Sequence, residues 1–434
     1  MIKKLALLGG QPIFNKPLLF KKTFGKEELA AVTKVIKSGV LSDFVGSVGE
    51  KFLGGKYIKE LEAAYCKKFN VKYAVAMNSA STALHAAVVA LGIGPGDEVI
   101  LPPITMSATA TAILLNNAVP VFVDVEKETV CLDPMLIEAK ITKRTKAIMV
   151  VDLYGQGANL SAIMKVAKKH HLKVIEDNAQ SPGAKIGEKF VGTIGDVGIF
   201  SLNFHKVINC GEGGILVTND AKIAYRAQLV RNHGEVVMND LGDYETVIYG
   251  TNYRMTELQA AIAIEQLKKL DFLNNWRIEL ANYLTKKLQS LEGLLVPVVR
   301  QGFTHVYYQY PLRFLEKKVG VTRKTFAKAL KAEGFSLGEG WVKPLYFFPL
   351  YQQKMMYKEG VGCPFECKYY DGKVDYKKGL CPAAEELCDK ELILSGICAW
   401  PLTKKHLDLF VVAINKVLEN VEELKKYEKR TEKK

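Results

Sequence analysis

Between residues 72 and 177 short apolar runs alternate with helical patterns, and this alternation restricts the chain more than any other feature. Lys72–Met77, Val99–Pro102, Val119–Val125, Lys146–Val151 and Leu172–Asp177 read as strands. Ser81–Leu91, Ser107–Leu115 and Leu160–His170 read as the helices between them. The strands are apolar on both faces, the mark of a mostly parallel sheet covered by helices on each side. GDVGIFSL from Gly195 and GGILVT from Gly213 add two more strand patterns. The expected class is therefore α/β.

A helical stretch, Thr256–Leu273, follows, and a separate helix is expected over Trp276–Leu291. Beyond about residue 275 the helices, such as Lys324–Ala332, are interleaved with a strand-like run, Val306–Phe314, suggesting a smaller α+β domain. The expected division is 1–275, an N-terminal arm and large domain, and 276–434, a small domain. Residues 351–390 read as a long irregular insertion, and loops of that length are often functional.

Composition excludes several classes. Hydrophobic residues make up 48% of 434, so the chain can bury a core. No run approaches the ~18 apolar residues of a membrane span. The apolar patch near the start is broken by Gly-Gly-Gln-Pro, so a soluble cytoplasmic protein is expected. The eight cysteines include no tight C-x2-C pair, so no metal site is expected. The formal net charge of +14 suits an anionic small molecule. Without a basic block or a nucleic-acid-binding motif, no nucleic acid is expected.

Four segments carry candidate chemistry. In NSASTALHAA (Asn78–Ala87) hydroxyl residues open a helix after a strand. Such an N-terminus can hold a phosphate, although capping by Ser81 or Thr82 accounts for the same residues. In VIEDNAQ (Val174–Gln180) Asp177 ends a buried parallel strand, where α/β sheets place ligands. Its carboxylate could hold a cationic ring nitrogen or cap a helix. In FSLNFHKVINCGEGG (Phe200–Gly214) one lysine, Lys206, lies in a loop closed by glycines. A desolvated lysine can form a Schiff base with an aldehyde. In YGTNYRMTELQAA (Tyr249–Ala261) Asn252 and Arg254 precede a helix that Thr256 can cap.

In this order and spacing the four segments resemble the pyridoxal-phosphate-dependent sugar aminotransferases of the DegT/DnrJ/StrS family, which have the fold type I of aspartate aminotransferase. The resemblance runs from LALLGGQP at Leu5 through GPGDEVI at Gly94 and PLYFFP at Pro344 to Trp400. It implies that Lys206 bonds to pyridoxal 5'-phosphate and, once displaced, shuttles a proton. It implies that Asp177 holds the ring nitrogen and Gln180 contacts the ring 3-oxygen. Ser81, Thr82 and Ser201 would bind the phosphate. Asn252 would reach the phosphate of the neighbouring subunit's cofactor, because family members share sites across a homodimer. Met106 stands where the family often places an aromatic residue on the ring. Arg231, Arg254 and His305 are candidate substrate residues. The loops Phe44–Gly55 and Cys363–Cys388 are expected to shape the acceptor pocket.

The function so implied is amino transfer from glutamate or glutamine to a keto-sugar, foremost a nucleotide-linked one, in amino-sugar, polysaccharide or natural-product biosynthesis. A keto-cyclitol of the scyllo-inosose type is the alternative acceptor. Family dehydratases carry His at the lysine position, so Lys206 argues against that activity. A non-catalytic regulatory relative would be expected to have lost some of Lys206, Asp177 and Gln180.

Overall fold

A computed structural model describes residues 3–18, 23–46, 49–234, 248–339, 343–358 and 361–431. The strands in chain order are β1 (Tyr73–Met77), β2 (Glu98–Leu101), β3 (Val119–Phe122), β4 (Thr145–Val151), β5 (Lys173–Asp177), β6 (Lys185–Ile186), β7 (Lys189–Phe190), β8 (Val197–Ser201), β9 (Gly214–Thr218), β10 (Leu294–Leu295), β11 (Tyr310–Phe314), β12 (Gly338–Glu339) and β13 (Leu392–Ser395). Seven form the large sheet in the order β1-β9-β8-β5-β4-β2-β3.

The pairs among β3, β2, β4, β5 and β8 are parallel, whereas β9 lies antiparallel between β8 and β1. The direction of β9 follows from its connection. Parallel neighbours need a crossover of a dozen or more residues, usually helical. The segment between Ser201 and Gly214 contains no helix and turns straight back. Gly214 therefore pairs with both Ser201 and Met77. The carboxyl ends of β1, β5 and β8 meet the start of β9 along one edge, and the loop carrying Lys206 crosses that edge.

The small sheet, β10-β11-β13-β12, is antiparallel throughout. Its core joins Phe314, Phe326, Phe335 and Phe410 to Leu280, Leu284 and Leu288. Leu5 belongs to the same core, so the N-terminal segment packs on the small sheet and not on the large one. Glu333 fixes it there, accepting from the Ala6 and Ile13 amides at 2.8 and 3.1 Å and from Lys416 Nζ at 2.8 Å.

Two local expectations differ from the structure. The two helices expected on either side of residue 275 are one helix, Glu257–Leu288. No Gly or Pro interrupts it, and Asn274 makes a buried bond to the Pro182 carbonyl instead of breaking it. The strand expected over Val306–Phe314 begins only at Tyr310. Before it, the Val306 and Gln309 amides donate to the Gly155 and Tyr154 carbonyls, and Tyr307 takes a φ of 50°. Gly155 permits that approach, since a Cβ there would lie 2.5 Å from the Tyr307 nitrogen.

The insertion is irregular over most of its described length, as expected. Its aromatic residues pack on the edge strand β3 of the large sheet, with Phe122, Tyr351 and Tyr376 in mutual edge contacts. Tyr376 OH donates to the Pro120 carbonyl and Tyr370 OH to Glu98, each at 2.8 Å. Asp124 accepts from the Ala383 and Ala384 amides. The insertion thus covers a sheet edge, a position that protects unpaired strand groups.

Candidate active site

Asp177 is the last residue of β5 and is 5% exposed. Its Oδ2 accepts from Thr109 Oγ1 at 2.7 Å and its Oδ1 from the Ala179 amide at 3.3 Å. Thr109 belongs to the helix Ser107–Leu115, and its hydroxyl also pairs with that of Thr105. Burial raises the Asp177 carboxyl above its ordinary range, while the Thr109 bond and the charge of Lys206 oppose the rise. Lys206 shows the reciprocal effect. Burial pushes its amine down to about 8, with Asp177 pulling the other way. The amine lies 4.9 Å from the centre of the Tyr308 ring.

The lysine loop is held by its own residues. The Lys206 amide donates to the Asn203 carbonyl at 2.9 Å. Asn203 Nδ2 donates to both carboxylate oxygens of Glu212, at 2.8 and 2.9 Å. Gln259 at the start of the long helix donates to the Glu212 carbonyl. Glu212 lies in the G-E-G-G run, and the resemblance assigns it no task. A carboxylate between glycines, nine residues past an asparagine, was the available signal.

Gln180 is buried, and its Oε1 accepts from the Tyr154 amide at 3.1 Å. That bond fixes which end of the side chain is left to donate, because the carbonyl oxygen is already engaged. Ser201, at the end of β8, is 7% exposed, and its hydroxyl accepts from the Asn203 amide.

The helix Ala80–Ala90 starts at the end of β1, capped by Ser79 and not by Ser81 or Thr82. Ser79 Oγ takes the Thr82 amide, and the Thr82 hydroxyl bonds to Asn78 Oδ1 at 2.7 Å. The first-turn amides of Ala80 and Ser81 have no acceptor within the helix. Gly214 brings β9 against this turn, since a Cβ there would lie 2.4 Å from the Ala80 nitrogen. The fourth segment joins the first directly. The Asn78 amide donates to the Tyr253 carbonyl, and Asn78 Nδ2 to the Asn252 carbonyl. Asn252 is exposed, with Oδ1 held by Arg254 Nε at 3.1 Å. Met106 precedes the Thr109 helix and is exposed.

Three further sequence candidates already have partners within the protein. Arg231 is fully enclosed, paired with Glu62 at 2.6 Å and stacked on Phe44, so its charge is already matched in the interior. The Phe44–Gly55 loop accordingly packs over Arg231; its residues 47–48 lie outside the described residues. His305 is 2% exposed, stacks on Tyr307 and accepts its amide at Nδ1. Burial pushes the ring down to about 3, leaving it neutral. Arg254 spends its guanidinium on Asn252 and Asn232.

Lys206 lines a cavity of about 440 Å³ together with Arg277, Tyr308, Gln309, Phe24 and Trp400. Arg277 and Tyr308, like Thr109, escaped the sequence reading, because nothing local marks them. The donor set fits pyridoxal phosphate: a buried carboxylate for a ring nitrogen, an amine of lowered basicity for an aldehyde, and free helix amides beside Ser201 for a phosphate.

Comparison with known proteins agrees. The model of the DegT/DnrJ/EryC1/StrS aminotransferase family matches residues 24–364. The chain is 40% identical to GDP-perosamine synthase of Caulobacter vibrioides over 68% of its length and 79% of that protein. It is 33% identical to L-glutamine:scyllo-inosose aminotransferase of Streptomyces griseus, over 98% of this chain and all of that one. The crystal structure of S. venezuelae DesV superposes with a TM-score of 0.76 at 30% identity, covering 91% of this chain and 94% of the other.

Proposed function

The chain belongs to the DegT/DnrJ/EryC1/StrS aminotransferase family, and from that premise we propose that it uses pyridoxal phosphate to move an amino group from glutamate or glutamine to a keto-sugar, foremost a nucleotide-linked one. The observation that carries this reading is the placement of Asp177 at the carboxyl end of β5 and of Lys206 in the loop that crosses the same edge, close enough for each charge to act on the other. When bound, the cofactor supplies an electron-withdrawing ring that acidifies the carbon bearing the donor amine.

The protein's own groups do the rest. Asp177, whose charged form Thr109 and Lys206 favour against burial, would hold the ring nitrogen protonated. Gln180, with its carbonyl occupied by Tyr154, would donate to the ring oxygen. Ala80, Ser81, Thr82 and Ser201 would cradle the phosphate. Lys206 Nζ, with basicity lowered to about 8, is matched to taking a proton from one carbon and returning it to another near neutral pH. Exposed Asn252 and Met106 would meet a second subunit, giving a homodimer with shared sites.

A keto-cyclitol acceptor is the second reading. It is favoured by the end-to-end match to the scyllo-inosose enzyme, which spans the 351–390 insertion. The test is a panel of nucleotide-linked keto-sugars and inososes with glutamate or glutamine, followed by mass spectrometry. Amination of a keto-sugar by the wild type and none by Lys206→Ala is expected. Equal amination by both proteins would overturn the proposal.

A further inference from the structure

Arg277 is the charged residue of the lysine cavity that the reading above leaves idle. It lies on the helix Glu257–Leu288. Its NH1 donates to the carbonyls of Tyr307 and Tyr308, at 3.1 and 3.3 Å. No carboxylate among the described residues forms an ion pair with it, in contrast to Arg144, Arg231, Arg300 and Arg313. The described lining contains no Asp or Glu, so the cavity presents two cationic side chains and no anion.

Arg277 is half-buried, and a guanidinium partly withdrawn from water with no anion beside it is costly. Burial lowers its basicity, in keeping with that cost. Two carbonyls at NH1 fix the plane of the group while leaving Nε and NH2, and a planar fork of that kind matches a carboxylate.

We infer that Arg277 is the subsite for a carboxylate of the amino-acid donor, holding it in the cavity that Lys206 shares. The inference rests on the aminotransferase reading. An amino acid carries its amine one carbon from a carboxylate, so the group that binds the carboxylate must line the same cavity as the lysine. A keto-sugar has no such neighbour at its reacting carbon.

Glutarate, which lacks an amine and cannot react, is the probe, titrated calorimetrically into holoenzyme and into cofactor-free protein. Glutaramide is its neutral counterpart. Wild type should bind glutarate and discriminate against glutaramide. Arg277→Gln should lose about 10–100-fold in glutarate affinity, the range for a charge-assisted hydrogen bond, with the affinity for the keto-sugar acceptor held within about twofold. Arg277→Lys should recover part of the loss, since it restores charge without the fork.

Unchanged glutarate affinity in Arg277→Gln would overturn the inference. So would a parallel loss for the acceptor, which would make the arginine a phosphate subsite or a strut for Tyr307 and Tyr308. Thermal unfolding of each variant separates the strut. A protein that takes up no pyridoxal phosphate would instead defeat the aminotransferase reading, and the glutarate difference would still be measured on the cofactor-free form.

Discussion

Thr109 Oγ1 donates a 2.7 Å hydrogen bond to Asp177 Oδ2, tying a helix start to the carboxylate at the end of β5. The bond counters burial, which otherwise favours the neutral acid. Thr109→Val should raise the Asp177 pKa further and shift the acidic limb of the kcat profile to higher pH. Cofactor affinity should fall about tenfold, the equivalent of one hydrogen bond to a charged group. Thr109→Ser should restore both. Spectroscopic titration with pyridoxal phosphate checks the affinity.

The lowered basicity of Lys206 is also a statement about stability. Its folded pKa, about 8, lies below the ordinary 10.5. The folded state therefore binds fewer protons than the unfolded state between those values, and stability rises with pH across that window. Below about pH 8 the charge is buried at full cost. Cofactor-free Lys206→Met should be more stable than wild type at pH 7, on the order of 3 kcal/mol. The difference should vanish above pH 10.5. Urea unfolding at several pH values measures it.

Asn203 and Glu212 hold the lysine loop through two bonds from one amide. Glu212→Ala and Asn203→Ala should each lower kcat about tenfold with little change in unfolding midpoint. The double variant should be hardly worse than either, because the residues act as a unit. Additive losses in a double-mutant cycle would refute the coupling.

Glu333 accepts two backbone amides of the N-terminal segment and the buried ammonium of Lys416. Glu333→Ala leaves that ammonium without its anion and should cost about 3–5 kcal/mol. Lys416→Met in the same background should recover part of this. Chemical denaturation of the small-domain transition is the readout.

The insertion packs on β3, four strands from β8, and none of its described residues lines the lysine cavity. Tyr376→Phe loses only the bond to the Pro120 carbonyl and should cost about 1 kcal/mol. Tyr376→Ala also opens a cavity among Phe122, Tyr351 and Phe365 and should cost about 3–5 kcal/mol. Donor and acceptor KM should stay at wild-type values in both.

Much of the site was legible because its chemistry demands particular residue types in order. An acid closing a buried strand, a lysine in a glycine-bounded loop and hydroxyls opening a helix are local signals. So were the strands from residue 72 to 177, whose apolar character on both faces is written in consecutive residues. The surroundings of Arg231 and His305 were not legible, for the opposite reason. Each is polar and sits in a motif-like run, yet enclosure by Glu62 and Phe44, or by Tyr307, is a long-range fact.

Tertiary structure alone decided the antiparallel direction of β9, the passage of one helix through residue 275, and the docking of the insertion on a sheet edge. It also placed Thr109 beside Asp177 and left Arg277 without a carboxylate among the described residues. Each of these joins residues far apart in the chain. Periodicity records which face of an element is apolar, whereas the partner that covers that face is chosen by packing across the whole fold.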